Sequence, residues 1–326
     1  MPLDLRALPK AELHVHLEAT IGPELAAELA DTYAKPVPSP GPFASLTEFV
    51  VAYELARDLI GSIDDLHRVA REFGERQHAD GVVWTEVHLI PSTYAGRLGD
   101  PHDLVAAVLD GLRHGAGVDH VGVVLGINRG LPVEEAERTV DLALRWSGKG
   151  VVALGLAGDE ANHPGTGFAQ AFARAASYGM PAVPHAGEGA GPASVRDAIE
   201  SLAPTRICHG VRAIEDDSLV DLLAERQICL DLAPTSNVRL GGYPDLASHP
   251  LPELMRRGVP VTLNSDIPHF IGHGLLGEYE SCVRAWDLTS TQVVGLAENS
   301  LRHSFSPGHV RDQALGQLDG LQKAVT

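Results

Sequence analysis

Residues 151–210 read VVALGLAGDEANHPGTGFAQAFARAASYGMPAVPHAGEGAGPASVRDAIESLAPTRICHG. Three short apolar runs, 151–156, 181–185 and 206–209, alternate here with two helical patterns, 167–178 and 192–202. Strands that are apolar on both faces and separated by helices belong to a parallel sheet whose faces are both covered. Each run also ends on polar residues: Gly158-Asp159-Glu160 after the first, His185 and Glu188 at the second, His209 at the third.

The same alternation extends both ways. Further strands are predicted at 82–89, 120–126, 228–232 and 259–264, with helices near 102–115, 133–146, 215–225 and 249–257. An opening strand lies in residues 11–20, AELHVHLEAT, which makes eight. Eight such units point to an α/β fold of the closed (β/α)8 TIM-barrel type rather than an open doubly wound sheet. No G-x-G-x-x-G follows the first strand, which counts against a dinucleotide fold. Additional helices are expected after the first strand, at 23–33, 46–60 and 63–79, and at the C-terminus; PVPSPGP at 36–42 reads as a loop. Leu46, Phe49, Val50, Tyr53 and Leu55 fall near helical spacing and are expected to pack on the core, with segment 43–60 also serving as a partial lid. No linker divides the chain, so residues 1–326 are read as one domain.

Composition narrows the partners. Hydrophobic residues make up 44% and charged residues 21%, as in ordinary globular proteins. Lys and Arg number 25 against 43 Asp and Glu, a net charge of −18 that argues against nucleic acid or an anionic membrane as partner. No apolar run reaches the roughly 18 residues of a membrane span, and MPLDLRALPKAE lacks the order of a signal peptide. Cys208, Cys229 and Cys282 show no C-x-x-C spacing, so a reducing cytoplasm is the expected location. A small molecule is the partner expected, and the sequence leaves the oligomeric state open.

In a barrel of this kind the active site forms at the C-terminal ends of the strands. The first predicted strand ends His14-Val15-His16-Leu17-Glu18, and the last ends Asn264-Ser265-Asp266. Side chains at i and i+2 of a strand leave the same face, so His14 and His16 point together. Alone, that pair is explained equally well by packing, and Asp266 before Pro268 by a turn. Gathered at one mouth with His185, Glu188 and His209, they describe a site. His14, His16, His185 and Asp266 suit a divalent ion such as zinc, or iron(II) or manganese(II), with an open position for water. A water so bound has its pKa lowered to about 7. Glu188 and His209 remain to move protons: His209 to orient or deprotonate the water, Glu188 to protonate a ring nitrogen or leaving group. A carboxyl acting as an acid near pH 7 needs a pKa raised by burial.

The stretches KAELHVHLEAT (10–20), ALGLAGDE (153–160), PHAGE (184–188), RICHG (206–210), LDLAPTSN (230–237) and HPLPELMRRGVPVTLNSD (249–266) resemble the adenosine/adenine deaminase family of the amidohydrolase superfamily. The likeness spans nearly the whole chain. It implies metal binding by His14, His16, His185 and Asp266, protonation of purine N1 by Glu188, and help to the attacking water from His209. It further implies that the Gly158 backbone meets purine N3 and that Glu18 holds the sugar or lies beside the base. The reaction implied is hydrolytic deamination. The other zinc deaminase pattern, H-x-E with P-C-x-x-C, is absent from the sequence.

Departures from the family pattern concern the substrate. Ile267 stands where S/T-D-D-P has a second aspartate, the residue that in the family bonds purine N7. A lost buried polar partner costs about 1–3 kcal/mol, so a substrate other than plain adenosine is expected. Ala19 replaces the usual glycine, His88 an arginine and Ala233 a cysteine; His269 and His273 either reshape the pocket or are exposed loop residues. A metal-dependent enzyme acting on a non-purine substrate, in specialised metabolism, is the alternative. A non-catalytic ligand-binding relative fits less well, because binding alone needs neither four ligands nor Glu188.

Overall fold

The computed structural model describes residues 3–41, 43, 46–94 and 96–325. Eight strands form, β1 (Lys10–His16), β2 (Val82–Leu89), β3 (Val121–Asn128), β4 (Val151–Ala157), β5 (Ala182–Ala186), β6 (Arg206–His209), β7 (Cys229–Leu232) and β8 (Val261–Leu263). They pair in parallel, in chain order from β1 to β8. Backbone bonds from Asp266 N–H to His14 O (3.1 Å) and from His16 N–H to Asp266 O (2.9 Å) join the two ends. The result is the predicted (β/α)8 barrel, with helices around it, extra helices Pro23–Thr32, Leu46–Leu59 and Ile63–Ala79 after β1, and Ser290–Arg302 and Gly308–Val325 at the end.

Strand side chains facing the helices are mostly apolar, and the residues facing inward include charges that satisfy one another. Arg206 on β6 donates to Glu86 Oε2 on β2 (2.5 Å) and Asp231 Oδ2 on β7 (2.8 Å), all three fully buried. Glu12 on β1 accepts from the backbone N–H of Ser265 at 2.8 Å and also from its hydroxyl and from Gln77. Buried charges are tolerated when paired and hydrogen-bonded in this way. The Glu12 contacts fix the backbone one residue before Asp266.

Strand edges differ from the predicted ones by one or two residues. The predicted 259–264 strand shortens to Val261–Leu263; Pro260 has no N–H to give the ladder, although its carbonyl accepts from Leu230. Two short helices, Pro234–Arg239 and Pro268–Ile271, follow β7 and β8, where the sequence pattern predicts no element.

The helix Leu46–Leu59 presents a different face from the predicted stripe. Ala52, Ala56 and Leu59 are buried, Phe49 and Tyr53 are partly buried, and Val50 is 44% exposed. Small alanines allow close approach to Ala19, Ile267, Phe270 and Ile271 at the barrel mouth. Phe43, Phe49, Tyr53 and Phe270 complete this contact as an aromatic cluster with ring centroids 5.4–6.3 Å apart. Residues 42, 44 and 45 of the proline-rich turn and the proposed lid lie outside the described residues, as does the Leu46 side chain. Among the described residues no helix is long and apolar enough to cross a membrane, and all three cysteines are buried and free.

Candidate active site

The predicted ligands meet at the mouth. His14 and His16 close β1, His185 lies in β5, and Asp266 follows β8. His185 Nε2 is 3.0 Å from His14 Nε2 and 3.1 Å from His16 Nε2, and Asp266 Oδ1 is 3.4 Å from both β1 rings. The remaining ring nitrogens explain how these atoms face one another. His14 Nδ1–H donates to Asp231 O (3.2 Å) and His185 Nδ1–H to Leu156 O (3.0 Å), so in the neutral rings both Nε2 atoms are lone pairs. Burial holds the rings neutral, lowering the pKa of His14 and of His16 to about 4 and that of His185 well below its usual value. Lone pairs and a carboxylate at this separation repel unless a cation lies among them. Four ligands at about 2.0–2.1 Å from a tetrahedral zinc ion stand about 3.3 Å apart. The donor set therefore fits a divalent ion.

Asp266 is held from several sides. Its backbone bridges to β1, its Oδ2 accepts from Ser236 Oγ–H at 2.6 Å, and its φ is +56°. His209, at the end of β6, also has a positive φ, +63°. Such conformations are uncommon for residues other than glycine, and two of them fall on neighbouring functional side chains.

Glu188 lies in the loop after β5, with Oε2 3.3 Å from His209 Nε2 and about a third of its side chain, 32%, open to the mouth. Burial raises its carboxyl pKa, with the negative charges of Asp266 and Glu160 adding to the effect. The loop itself is organised by Glu160, which is only 7% exposed. Glu160 accepts from the backbone N–H groups of Gly187, Glu188 (3.1 Å), Gly189 (2.8 Å) and Ala190 (3.2 Å). Four consecutive amides turned on one carboxylate need a tight bend. Gly187 provides it at φ +73°, where a Cβ would sit 2.4 Å from Val195 Cγ2. On the other side of the strand end, buried Arg129 donates to His185 O at 2.6 Å.

The residues expected to touch substrate are placed less uniformly. Gly158 follows β4 at φ +109°, its backbone exposed at the rim. Glu18 is 1% exposed and accepts from Tyr53 O–H at 3.1 Å, so the helix over the mouth already engages it. Ile267 is 2% exposed, within the apolar wall described above.

His269 Nδ1–H donates to Ile21 O (3.1 Å) and His273 Nε2 pairs with Glu278 Oε2 (2.8 Å); both histidines are partly buried. His88 lies close to the ligand rings, with centroids 5.3 Å from His14 and His16 and 5.5 Å from His185. With His185 and Cys208 it forms a second group that could hold an ion; burial pushes the Cys208 thiol up. Asn237, Ser236 and His249 also back the site, although the sequence offers only their place in LDLAPTSN and HPLPELMRRGVPVTLNSD as a signal.

Comparison with known proteins bears on the fold and the family. The family profile described as adenosine deaminase matches residues 9–321. The adenine deaminase of Pseudomonas syringae pv. syringae is 37% identical over 309 residues, covering 91% of this chain and 96% of its own. The crystal structure of adenine deaminase from Arthrobacter aurescens superposes with a TM-score of 0.89 at 28% identity, covering 97% of this chain and 100% of that one. An Arabidopsis N6-mAMP deaminase structure gives a TM-score of 0.86 at 26% identity, covering 97% and 99%. The chain belongs to the adenosine deaminase family.

Proposed function

We propose that the chain is a zinc-dependent aminohydrolase that deaminates an adenine-like base or nucleoside, or a related amino-heterocycle, with a substrate other than plain adenosine preferred. The observation that carries this reading is the set of His14, His16, His185 and Asp266 donor atoms, each 3.0–3.4 Å from two of the others, with Glu188 and His209 beside it. A zinc ion held by those four residues would supply Lewis acidity and a water of lowered pKa.

The side chains divide the proton work. As the water oxygen bonds to the amine-bearing ring carbon, one of its protons passes to Asp266 Oδ2. The C=N π pair moves to the ring nitrogen, which takes the proton Glu188 keeps through burial. On collapse the C–N bond breaks and the amine leaves as ammonia with the Asp266 proton. The second water proton returns to Glu188 as the carbonyl forms. His209 holds the attacking oxygen, and the exposed Gly158 backbone offers a hydrogen bond to the far edge of the ring. Glu18 acts through Tyr53, closing the mouth rather than gripping a sugar directly.

Ile267 favours a modified substrate, because its wall of Ala19, Ala52, Ala56 and Phe270 offers a ring edge only hydrocarbon. Ammonia release from adenine, adenosine, modified purines and pterins by zinc-loaded enzyme tests the reading. A modified heterocycle is expected to exceed adenosine in kcat/KM by about tenfold or more, and Ile267→Asp is expected to narrow that gap. Efficient turnover of adenosine overturns the argument from Ile267; no ammonia from any of these compounds overturns the deaminase assignment. The same apolar wall supports a second reading, a metal-dependent hydrolase of a non-purine substrate, which would form product without ammonia.

A further inference from the structure

Behind the site three buried side chains form a hydrogen-bonded series whose direction is set at its far end. The Leu251 backbone N–H donates to His249 Nδ1 at 3.2 Å. A backbone amide only donates, so His249 Nδ1 is a lone pair and the neutral ring carries its proton on Nε2. That Nε2–H lies 3.1 Å from Asn237 Oδ1, which accepts it. The Asn237 amide nitrogen then donates to His209 Nδ1 at 3.3 Å. The His209 proton is left on Nε2, facing Glu188 Oε2 at 3.3 Å and Asp266 Oδ2 at 4.0 Å. His249, Asn237 and His209 are 2%, 3% and 1% exposed, so solvent is not at hand to reverse the series. Burial also lowers the His249 pKa to about 3, which keeps that ring neutral in ordinary buffers.

We infer that Asn237 and His249 are positioning residues that lock His209 in its Nε2–H tautomer, so that His209 donates a hydrogen bond to the reacting oxygen and does not take its proton. Of the two roles open to His209, orienting the water and deprotonating it, the relay selects the first. The identity of the reacting oxygen rests on the proposed deaminase reading; the tautomer does not. A neutral imidazole has one donor and one acceptor, and Asn237 occupies the acceptor.

Histidine side-chain 15N–1H spectra of the zinc-loaded protein, assigned by the signals lost in His209→Gln, test the tautomer directly. The expected result is a protonated Nε2 and an unprotonated Nδ1 for His209; protonation at Nδ1 overturns the inference. Asn237→Asp keeps the shape but replaces the donor with an acceptor, which moves the His209 proton to Nδ1. It is expected to lower kcat by about ten-thousandfold, the scale of a wrong-tautomer defect in a catalytic histidine. KM should stay within about threefold and zinc content should not change. A kcat within about threefold of wild type overturns the proposal.

Should Asn237→Asp fail to fold, two changes at His249 decide. His249→Gln retains an N–H for Asn237 Oδ1 and should keep most of the activity, whereas His249→Leu should lose it. Equal activity in the two overturns the relay. If wild type releases no ammonia from any substrate, the deaminase reading has failed, and the spectrum still determines whether the relay exists.

Discussion

Glu188 shows how one residue's surroundings set its chemistry. An unperturbed glutamic acid has a pKa of about 4.3 and would hold no useful proton at neutrality. Here burial, followed by the charges of Asp266 and Glu160, raises the pKa, so the protonated form persists into the neutral range. The sign follows from the role: an acid works while protonated, so kcat should fall as pH rises through the raised pKa. Glu188→Gln cannot give up a proton and should lose about 10²–10⁴ in kcat with zinc content unchanged. A kcat–pH profile of wild type and a single-pH comparison with the variant check both points; retained activity in Glu188→Gln would remove Glu188 from the acid role. The placing of this residue and of the four proposed ligands at one mouth was legible in the sequence because each sits at the end of an apolar run. Glu160, Asn237 and His249 lie in the stretches quoted from the sequence, but what they hold was not legible there. Their partners are 12 to 30 residues away and become neighbours only when strand ends converge.

At the scale of elements, the loop after β5 is the most tightly specified piece of the mouth. Arg129 holds the His185 carbonyl and Glu160 gathers the four amides that follow, so a cation and an anion pin the strand end from either side. Hydrogen bonds to a charged group contribute about 1.5–3 kcal/mol each, and a nest of them fixes the backbone that carries Glu188. Glu160→Gln turns an amide N–H toward those donors and should loosen the loop. Amide hydrogen exchange at residues 187–190 should speed up, and kcat should fall about a hundredfold for a displacement on the order of 1 Å. Unchanged exchange at those four amides would show that the loop holds its shape without Glu160. The strands were readable from their apolar runs, but Pro234–Arg239 and Pro268–Ile271 were not, since helices of six and four residues show no period. The facing of helix Leu46–Leu59 was misread for a related reason: its buried stripe is built on Ala52 and Ala56, small residues that a search for large apolar side chains passes over.

For the whole molecule, the site is also a clasp. Its ligands come from β1, from β5 across the barrel and from the segment after β8, the same segment whose backbone closes the sheet onto β1. Without a cation, three imidazoles and a carboxylate face one another in a buried space, and their repulsion opposes closure at the seam between β8 and β1. An ion bound there by the folded chain alone stabilises it by about 4 kcal/mol when free zinc is a thousandfold above its dissociation constant. Chelation should therefore lower Tm, and added zinc should restore it. His185→Ala, which removes the one ligand from across the barrel, should reduce both the starting Tm and the response to zinc. Thermal melts of untreated, chelated and zinc-restored protein, alongside His185→Ala, make the comparison. Identical melting with and without the ion would mean that these four residues do not hold it, while a zinc response surviving intact in His185→Ala would place the ion elsewhere.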